Sequence, residues 1–472
     1  MASDADLVNQ SAIEVLALLR SGDVSPLDLL DALEVRIAQV DDKVHALPTL
    51  CFDRARAAAK TLMQKPLEQR GVLCGLPVPI KDLDDVAGVR TTYGSTIFSD
   101  HIPDQSSDLV VQIESEGGLV YAKSNTPEFG SGAHTFNEVF PTTVNPHNAA
   151  MSAGGSSGGA AVALATGTAW VAQGSDMAGS LRTPASFCGV VGMRPSPGRI
   201  VSGPGSANPF DVLSSGGAMA RSVADLALLF DAMSGAPGGD PLAQSSHASG
   251  YRARATQASK PARVAFSLDL GITPVEPEIA NIVRSAVSAL ERDGIEVIEA
   301  HPDLRGVHDT FRTLRAHNYA IGMEETLRDH RDKLKADNVW NIEQGLALSG
   351  AQIVQAQRER AGLFYRMSEF MRDVDVLICP TAIVPSFPID ARYVESCNGH
   401  SFAHYFEWLA IVYAITTVAH PAISLPCGVA NNGVPVGLQV VGKAQGDADL
   451  ISNAAYIERL LGIDAKPVDP VT

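Results

Sequence analysis

Two glycine–serine knots, Gly154–Gly159 (GGSSGG) and Gly174–Ser180 (GSDMAGS), stand in apolar sequence rather than between polar flanks. The first runs directly into AAVALA, and the second comes after the strand-like TAWVAQ. A flexible linker has neither neighbour. Glycine permits backbone conformations and close approaches that a Cβ forbids, so both segments read as tight turns inside a core. A small-residue turn after a core strand aims several backbone N–H groups into one space, which suits an anion or an oxyanion.

Three explanations compete for these turns. A phosphate-binding loop needs G-x-x-x-x-G-K-[ST], and no lysine follows either knot. Glycines that serve close packing alone are the second explanation. Nucleophilic catalysis by serine is the third. The G-x-S-x-G elbow is absent and neither knot contains a histidine, so a base has to come from elsewhere in the chain.

Charge and cysteine usage remove several classes. With 36 basic against 53 acidic side chains the net charge is −17, and no Lys/Arg-rich run occurs. Nucleic acid and anionic membranes both need a basic footprint, so neither is expected as a partner. The six cysteines, at 51, 74, 188, 379, 397 and 427, form no C-x-x-C pair, which points to free thiols rather than a disulfide framework or a zinc site. None of the 12 histidines forms an H-E-x-x-H or another close metal pair. His134, His147 and His420 are expected as loop or core residues, and no metal is expected. The N-terminus, MASDADLVNQ, is acidic and polar, unlike a signal peptide. Trp408–Pro426 approaches the length of a membrane span, but His420-Pro421 cuts it. A buried helix followed by a core strand over Ala422–Leu425 fits better, and a soluble, cytoplasmic protein is expected.

Along the chain, residues 1–65 read as a helical arm. Ser11 with Glu14 makes a capping box ahead of Ile13, Val15, Leu16, Leu18 and Leu19. Ser25-Pro26 opens a second helix with Leu29, Leu30, Leu33, Val35 and Ile37 inside. From residue 71 short apolar runs alternate with helical patterns: GVLCGLPVPIKD, a helix over Leu109–Glu116, and a buried strand over Gly117–Asn125. Such alternation predicts an α/β protein. Glu278–Arg292 reads as a helix stopped by Gly294, with IEVIEA next as a strand. The stretch 235–263 is the most linker-like and reads equally as a domain boundary or as a long surface connection. No internal repeat is visible.

The two knots, together with the adjoining SLRTPASFCGVVGMRPS, closely resemble the signature of the amidase signature family. The resemblance extends upstream to LPVPIKD (Leu76–Asp82) and PTTVNPHN (Pro141–Asn148). It extends downstream to GGDPLA, CPTAIVPSFP, HPAISLPCG and GVPVGLQVVG, covering roughly residues 10–445. It implies a single large α/β domain with a central mixed twisted sheet surrounded by helices. The helical arm would lead into a signature core over 70–230, with the remaining sheet and substrate-pocket elements in 264–472.

The resemblance also implies a Ser–cis-Ser–Lys triad, with Lys81 as base, Ser156 as bridge behind a cis peptide, and Ser180 as nucleophile. Backbone N–H groups of Met177, Ala178, Gly179 and Ser180 would form an oxyanion hole. Asp176 and Arg182 are expected to pair or to bond loop carbonyls and hold that turn in shape, with Ser157 and Ser175 as scaffold or as supports behind the reacting groups. The chemistry is consistent on its own terms. Serine is a poor nucleophile until a base takes its proton. Lysine can be that base only if burial and neighbours bring it from about 10.4 toward 7–8, and Lys81 closes an apolar run where desolvation would do so. In one respect the chain departs from the family, which usually has Thr-Gly-Gly-Ser where Met177-Ala178-Gly179-Ser180 stands. A shifted substrate preference is expected from that change.

The implied activity is hydrolysis of a C–N bond in a small-molecule amide or a close relative, without metal or organic cofactor, by a monomer or homodimer. Aliphatic amides, anilides, cyclic or oligomeric amides, carbamates and some esters all suit the chemistry. Substrate contacts are expected from Ser131–Phe140, Gly203–Val212, His317–Asn341 and Val394–Glu407. An aryl-accepting pocket would be lined by Phe136, Phe140, Phe210, Tyr319, Trp340, Tyr393, Phe402 and Tyr405. The alternatives are the amidase-like component of a complex that transamidates aminoacyl-tRNA, a catalytically silent binding protein, and a serine–histidine hydrolase.

Overall fold

The computed structural model describes residues 4–200, 207–235, 240–462 and 466–471. The N-terminal arm consists of helices Asp4–Asn9, Ala12–Ser21, Pro26–Val44 and Phe52–Met63. Ser11 and Glu14 form the expected reciprocal cap, and Ser25 forms a second with Asp28, with Pro26 in the first turn. Val15, Leu16, Leu19, Leu29, Leu30, Leu33 and Ile37 are buried, whereas Val35 is 44% exposed. Val35 lies within the helix as expected, but its two-residue step from Leu33 and Ile37 leads off the buried face.

Among the described residues, two sheets organise the rest. The larger has eight strands in the order Val171–Asp176, Ser215–Ala220, Val191–Arg194, Ala422–Val429, Pro435–Val441, Val376–Pro380, Arg263–Phe266 and Glu296–Glu299. Its first six strands pair antiparallel. The last three pair parallel, so the sheet is mixed. Helices cover it, among them Arg182–Cys188, Val223–Met233, Pro277–Arg292 and Asp447–Leu461. The fold is a single α/β domain, as expected. The strand read from IEVIEA lies at the sheet edge, with both ends of Glu296–Glu299 exposed.

Trp408–Pro426 divides at His420-Pro421 as expected, into helix Ala410–Thr417 and strand Ala422–Val429. That strand runs past Leu425 through an irregularity between Pro426 and Gly428. Among the described residues no helix is long and apolar enough to cross a membrane. Within 235–263, residues 236–239 lie outside the described set. Tyr251–Gln257 is a helix with Tyr251 and Ala255 buried, so this stretch contributes to the core rather than only connecting it.

The smaller sheet positions the site. Thr49–Leu50 pairs antiparallel with Leu119–Ser124, which pairs parallel with Pro77–Lys81. All residues of the last two strands are buried. Pro77–Lys81 packs beside Val171–Asp176, the edge strand of the larger sheet, and Lys81 N–H donates to Gln173 Oε1 at 2.9 Å. The two sheets therefore meet where Lys81 ends its strand and the second knot begins.

Candidate active site

The first knot turns sharply into helix Gly158–Ala165, and the Gly155–Ser156 peptide is cis. Its glycines are required by packing as well as by the turn: a Cβ on Gly159 would sit 2.3 Å from the Asn125 nitrogen. The second knot closes the edge strand at Asp176 and turns into helix Arg182–Cys188. Gly179 sits at φ +94°, and a Cβ there would approach Val412 Cγ2 to 2.5 Å. A direct bond joins the knots, from Ser157 N–H to the Ser180 carbonyl at 3.1 Å.

Lys81 is fully buried between them. Its Nζ lies 2.7 Å from Ser156 Oγ, 2.9 Å from Ser157 Oγ and 3.1 Å from Ser175 Oγ. Burial pushes the ammonium down to about 7, against the pull of Asp84 and Asp176, which favours the charge. Ser156 and Ser180 line one cavity of about 300 Å³. No hydrogen bond joins their hydroxyl oxygens among the described residues. Ser157 and Ser175 touch Lys81 directly and support its amine.

Asp176 and Arg182 pair as expected. Arg182 Nε donates to Asp176 Oδ2 at 3.0 Å and Nη2 to Oδ1 at 2.9 Å, with both side chains fully buried. Arg182 also reaches the Val412 carbonyl, Gln439 Oε1 and Thr416 Oγ1. Burial alone would raise the Asp176 carboxyl; Arg182 and Arg194 outweigh it and hold the carboxyl well below its ordinary value. The Asp176 carboxylate also accepts from the N–H groups of Gly179 and Leu181, at 3.0 and 3.1 Å. Of the four N–H groups expected to form an oxyanion hole, that of Gly179 is thus already engaged. The N–H groups of Met177, Ala178 and Ser180 donate no hydrogen bond among the described residues.

The cavity is lined by apolar Leu83, Phe129, Met177, Tyr319, Ile321 and Met323 and by polar residues that include Asn208, Asp211, Ser214 and Asn318. Of the eight aromatic residues expected in the pocket, Tyr319 alone lines this cavity, and Phe129, outside that set, joins it. Phe136 lies beneath the cations of Lys335 and Arg392 and Phe140 beneath Arg90. Trp340 and Tyr405 pack on Phe406, Phe402 packs on the core, Tyr393 lines a separate depression, and Phe210 is 70% exposed. Residues 203–206 of the expected Gly203–Val212 loop lie outside the described residues; Ala207, Asn208 and Asp211 line the cavity. The expected loop at His317–Asn341 is mostly helical, within Val307–His330 and Ala336–Leu346.

No histidine lines this cavity. His134 bonds Ser152 and the Ile389 carbonyl and is pushed by burial to about 4. His147 and His420 hold main-chain carbonyls. The serine–histidine alternative thus has no base at the serines.

The family model for Amidase matches residues 28–451. The chain belongs to the amidase family. Over 470 residues it is 33% identical to an acylamidase of Rhodococcus erythropolis, covering 97% of each chain. It is 29% identical to a glutamyl-tRNA(Gln) amidotransferase subunit of Halothermothrix orenii (strain H 168 / OCM 544 / DSM 9562), covering 98% of this chain and 99% of that one. A solved bacterial aryl acylamidase of the amidase signature family superposes with a TM-score of 0.89 at 26% identity, covering 96% of each chain. This amidase is accordingly a hydrolase of C–N bonds in amides.

Proposed function

We propose that this amidase hydrolyses small acyl amides bearing an aryl or compact apolar group, through an acyl-enzyme on Ser180. One observation carries the reading: a buried Lys81 amine, pushed down to about 7, lies 2.7 Å from Ser156 Oγ in the wall of a cavity shared with Ser180. Neutral Lys81 takes the Ser156 proton while Ser156 takes that of Ser180, and Ser180 Oγ bonds to the substrate carbonyl carbon. The oxyanion is met by the free N–H groups of the second knot; losing one such donor typically costs about 10²–10³ in rate. The same relay returns the proton to the amide nitrogen as the C–N bond breaks. Water then attacks the ester and frees the acid. The Ser156–Ser180 link forms in the substrate complex, where catalytic hydrogen bonds commonly tighten.

The apolar lining by Phe129, Tyr319, Ile321 and Met323 supports an aryl or compact apolar substituent, as does the likeness to the two acylamidases. Carbamates and esters present the same carbonyl geometry and are expected as secondary substrates. A panel of chromogenic anilides, aliphatic amides, carbamates and esters, run beside Ser180→Ala, tests the proposal. Anilide turnover that vanishes in the variant is expected; full activity in Ser180→Ala would refute it. The likeness to an amidotransferase component favours a second reading, as one member of a transamidating complex. Efficient use of glutamine, with anilides left untouched, would support that reading instead.

A further inference from the structure

Two acids, Asp84 and Asp176, favour the charged form of Lys81 against its burial, and their surroundings differ. Asp176 lies 2.9 Å from Arg182 and 3.6 Å from Arg194, so its charge is matched twice. Asp84 is in no ion pair among the described residues. Its Oδ2 accepts from Gln173 Nε2 at 2.9 Å, and the other end of that amide, Gln173 Oε1, accepts from the Lys81 N–H at 2.9 Å. Asp84 N–H in turn donates to the Lys81 carbonyl at 3.1 Å. One glutamine on the edge strand of the larger sheet thereby fixes both the end of the lysine strand and the carboxylate beyond it.

The remaining charges around Lys81 have partners. On the neighbouring strand, Lys123 faces Asp82 at 3.7 Å, and its Nζ donates to Thr91 Oγ1 and to the Asp84 main-chain carbonyl rather than to the carboxylate. Asp82 accepts from the Thr92 N–H at 3.2 Å, and Asp85 from the Tyr93 hydroxyl at 2.7 Å. Arg182 and Arg194 are directed at Asp176. Burial leaves the Asp84 carboxyl above its ordinary value, although Lys123, the Gln173 hydrogen bond and Lys81 itself pull it down.

We propose that Asp84 is a positioning residue whose carboxylate, held by Gln173, places a counter-charge beside Lys81 and sets the pH at which that ammonium gives up its proton. This rests on Lys81 being the base. Full burial without a counter-charge favours neutral amine at every physiological pH but makes a weak proton acceptor. A held carboxylate keeps the amine basic enough to draw a proton from Ser156.

The test is the pH dependence of kcat/KM on one chromogenic anilide for wild type, Asp84→Asn, Asp84→Ser, Asp85→Asn and Lys81→Ala, each checked for folding by thermal melting. Removing a negative charge stabilises neutral lysine, so the acid-side half-point is expected to move down by about one pH unit in both Asp84 variants. In Asp85→Asn it stays in place. Asp84→Ser decides the matter if Asp84→Asn does not fold. A half-point unmoved or raised in a folded Asp84 variant, with Lys81→Ala inactive, overturns the role of Asp84 alone. Full activity in Lys81→Ala overturns the base itself, and the proposal with it.

Discussion

Arg182 grips Asp176 through both carboxylate oxygens, at 2.9 and 3.0 Å, inside the turn that carries Ser180. The same two oxygens accept from the N–H groups of Gly179 and Leu181, on either side of the serine. The pair therefore shapes the turn from within, and its charges have no access to water. Removing one partner of a buried pair strands the other, which typically costs about 3–5 kcal/mol. Arg182→Met is expected to lower the unfolding free energy in urea by that order and to reduce kcat. A change within about 0.5 kcal/mol, the usual range for surface substitutions, would show that the pair is dispensable.

Lys81→Ala and Ser180→Ala are expected to differ in kind. Under the mechanism proposed above, Ser180→Ala removes the attacking atom and should leave no turnover of any substrate. Lys81→Ala removes proton transfer, worth roughly 10²–10⁴-fold, and should harm amides more than esters because an amide nitrogen must be protonated to leave. Parallel assays on an anilide and its matching phenyl ester read the difference. Equal losses on both would argue against Lys81 as the donor to the leaving group.

The pH dependence has two faces. With Lys81 pushed down to about 7, kcat/KM should fall as pH drops through that value, because the ammonium cannot accept a proton. Stability obeys the linkage of proton binding. An unfolded lysine titrates near about 10.4, so between about 7 and 10.4 the unfolded chain binds more protons and stability rises with pH. Below that window the penalty is constant, and above it the penalty is gone. Urea denaturation of wild type minus Lys81→Met across pH 6–10 should show this slope; a flat difference would place the folded lysine at its ordinary value.

Met177 and Ala178, the departures from the usual family turn, are separable in the structure. Met177 lines the cavity and packs against the apolar groups that include Tyr319 and Leu314. Ala178 packs into the core behind and does not line the cavity. Met177→Thr is therefore expected to change the ratio of kcat/KM between bulky and small acyl anilides several-fold, as changes of a few methylenes in a pocket do. Ala178→Gly should leave that ratio unchanged. A reversed pattern would place the specificity wall elsewhere.

How much of this the sequence makes legible depends on how local each signal is. Capping boxes at Ser11 and Ser25 and the break at His420-Pro421 act within a few residues, and helices and strands fall where they indicate. The ordered glycine–serine motifs lead to residues that the fold brings together, Lys81 with Ser156 across 75 positions. The cavity wall is less local. Tyr319 and Asn318 lie on a helix whose buried residues Val307, Phe311 and Leu314 recur at helical spacing, a periodicity that argues against a loop there. Most aromatic residues go to cation stacking and core packing instead, which composition cannot distinguish from a pocket. The link from Asp84 to Gln173 spans 89 positions and leaves no trace in either local stretch.

Lys81 closes a strand of the three-stranded sheet, and the serine turn closes the edge strand of the eight-stranded one. Neither sheet holds a complete site. Turnover is thus a reporter of docking between two sheets whose apolar side chains share one core, so a change that shifts one sheet against the other is read out as lost hydrolysis.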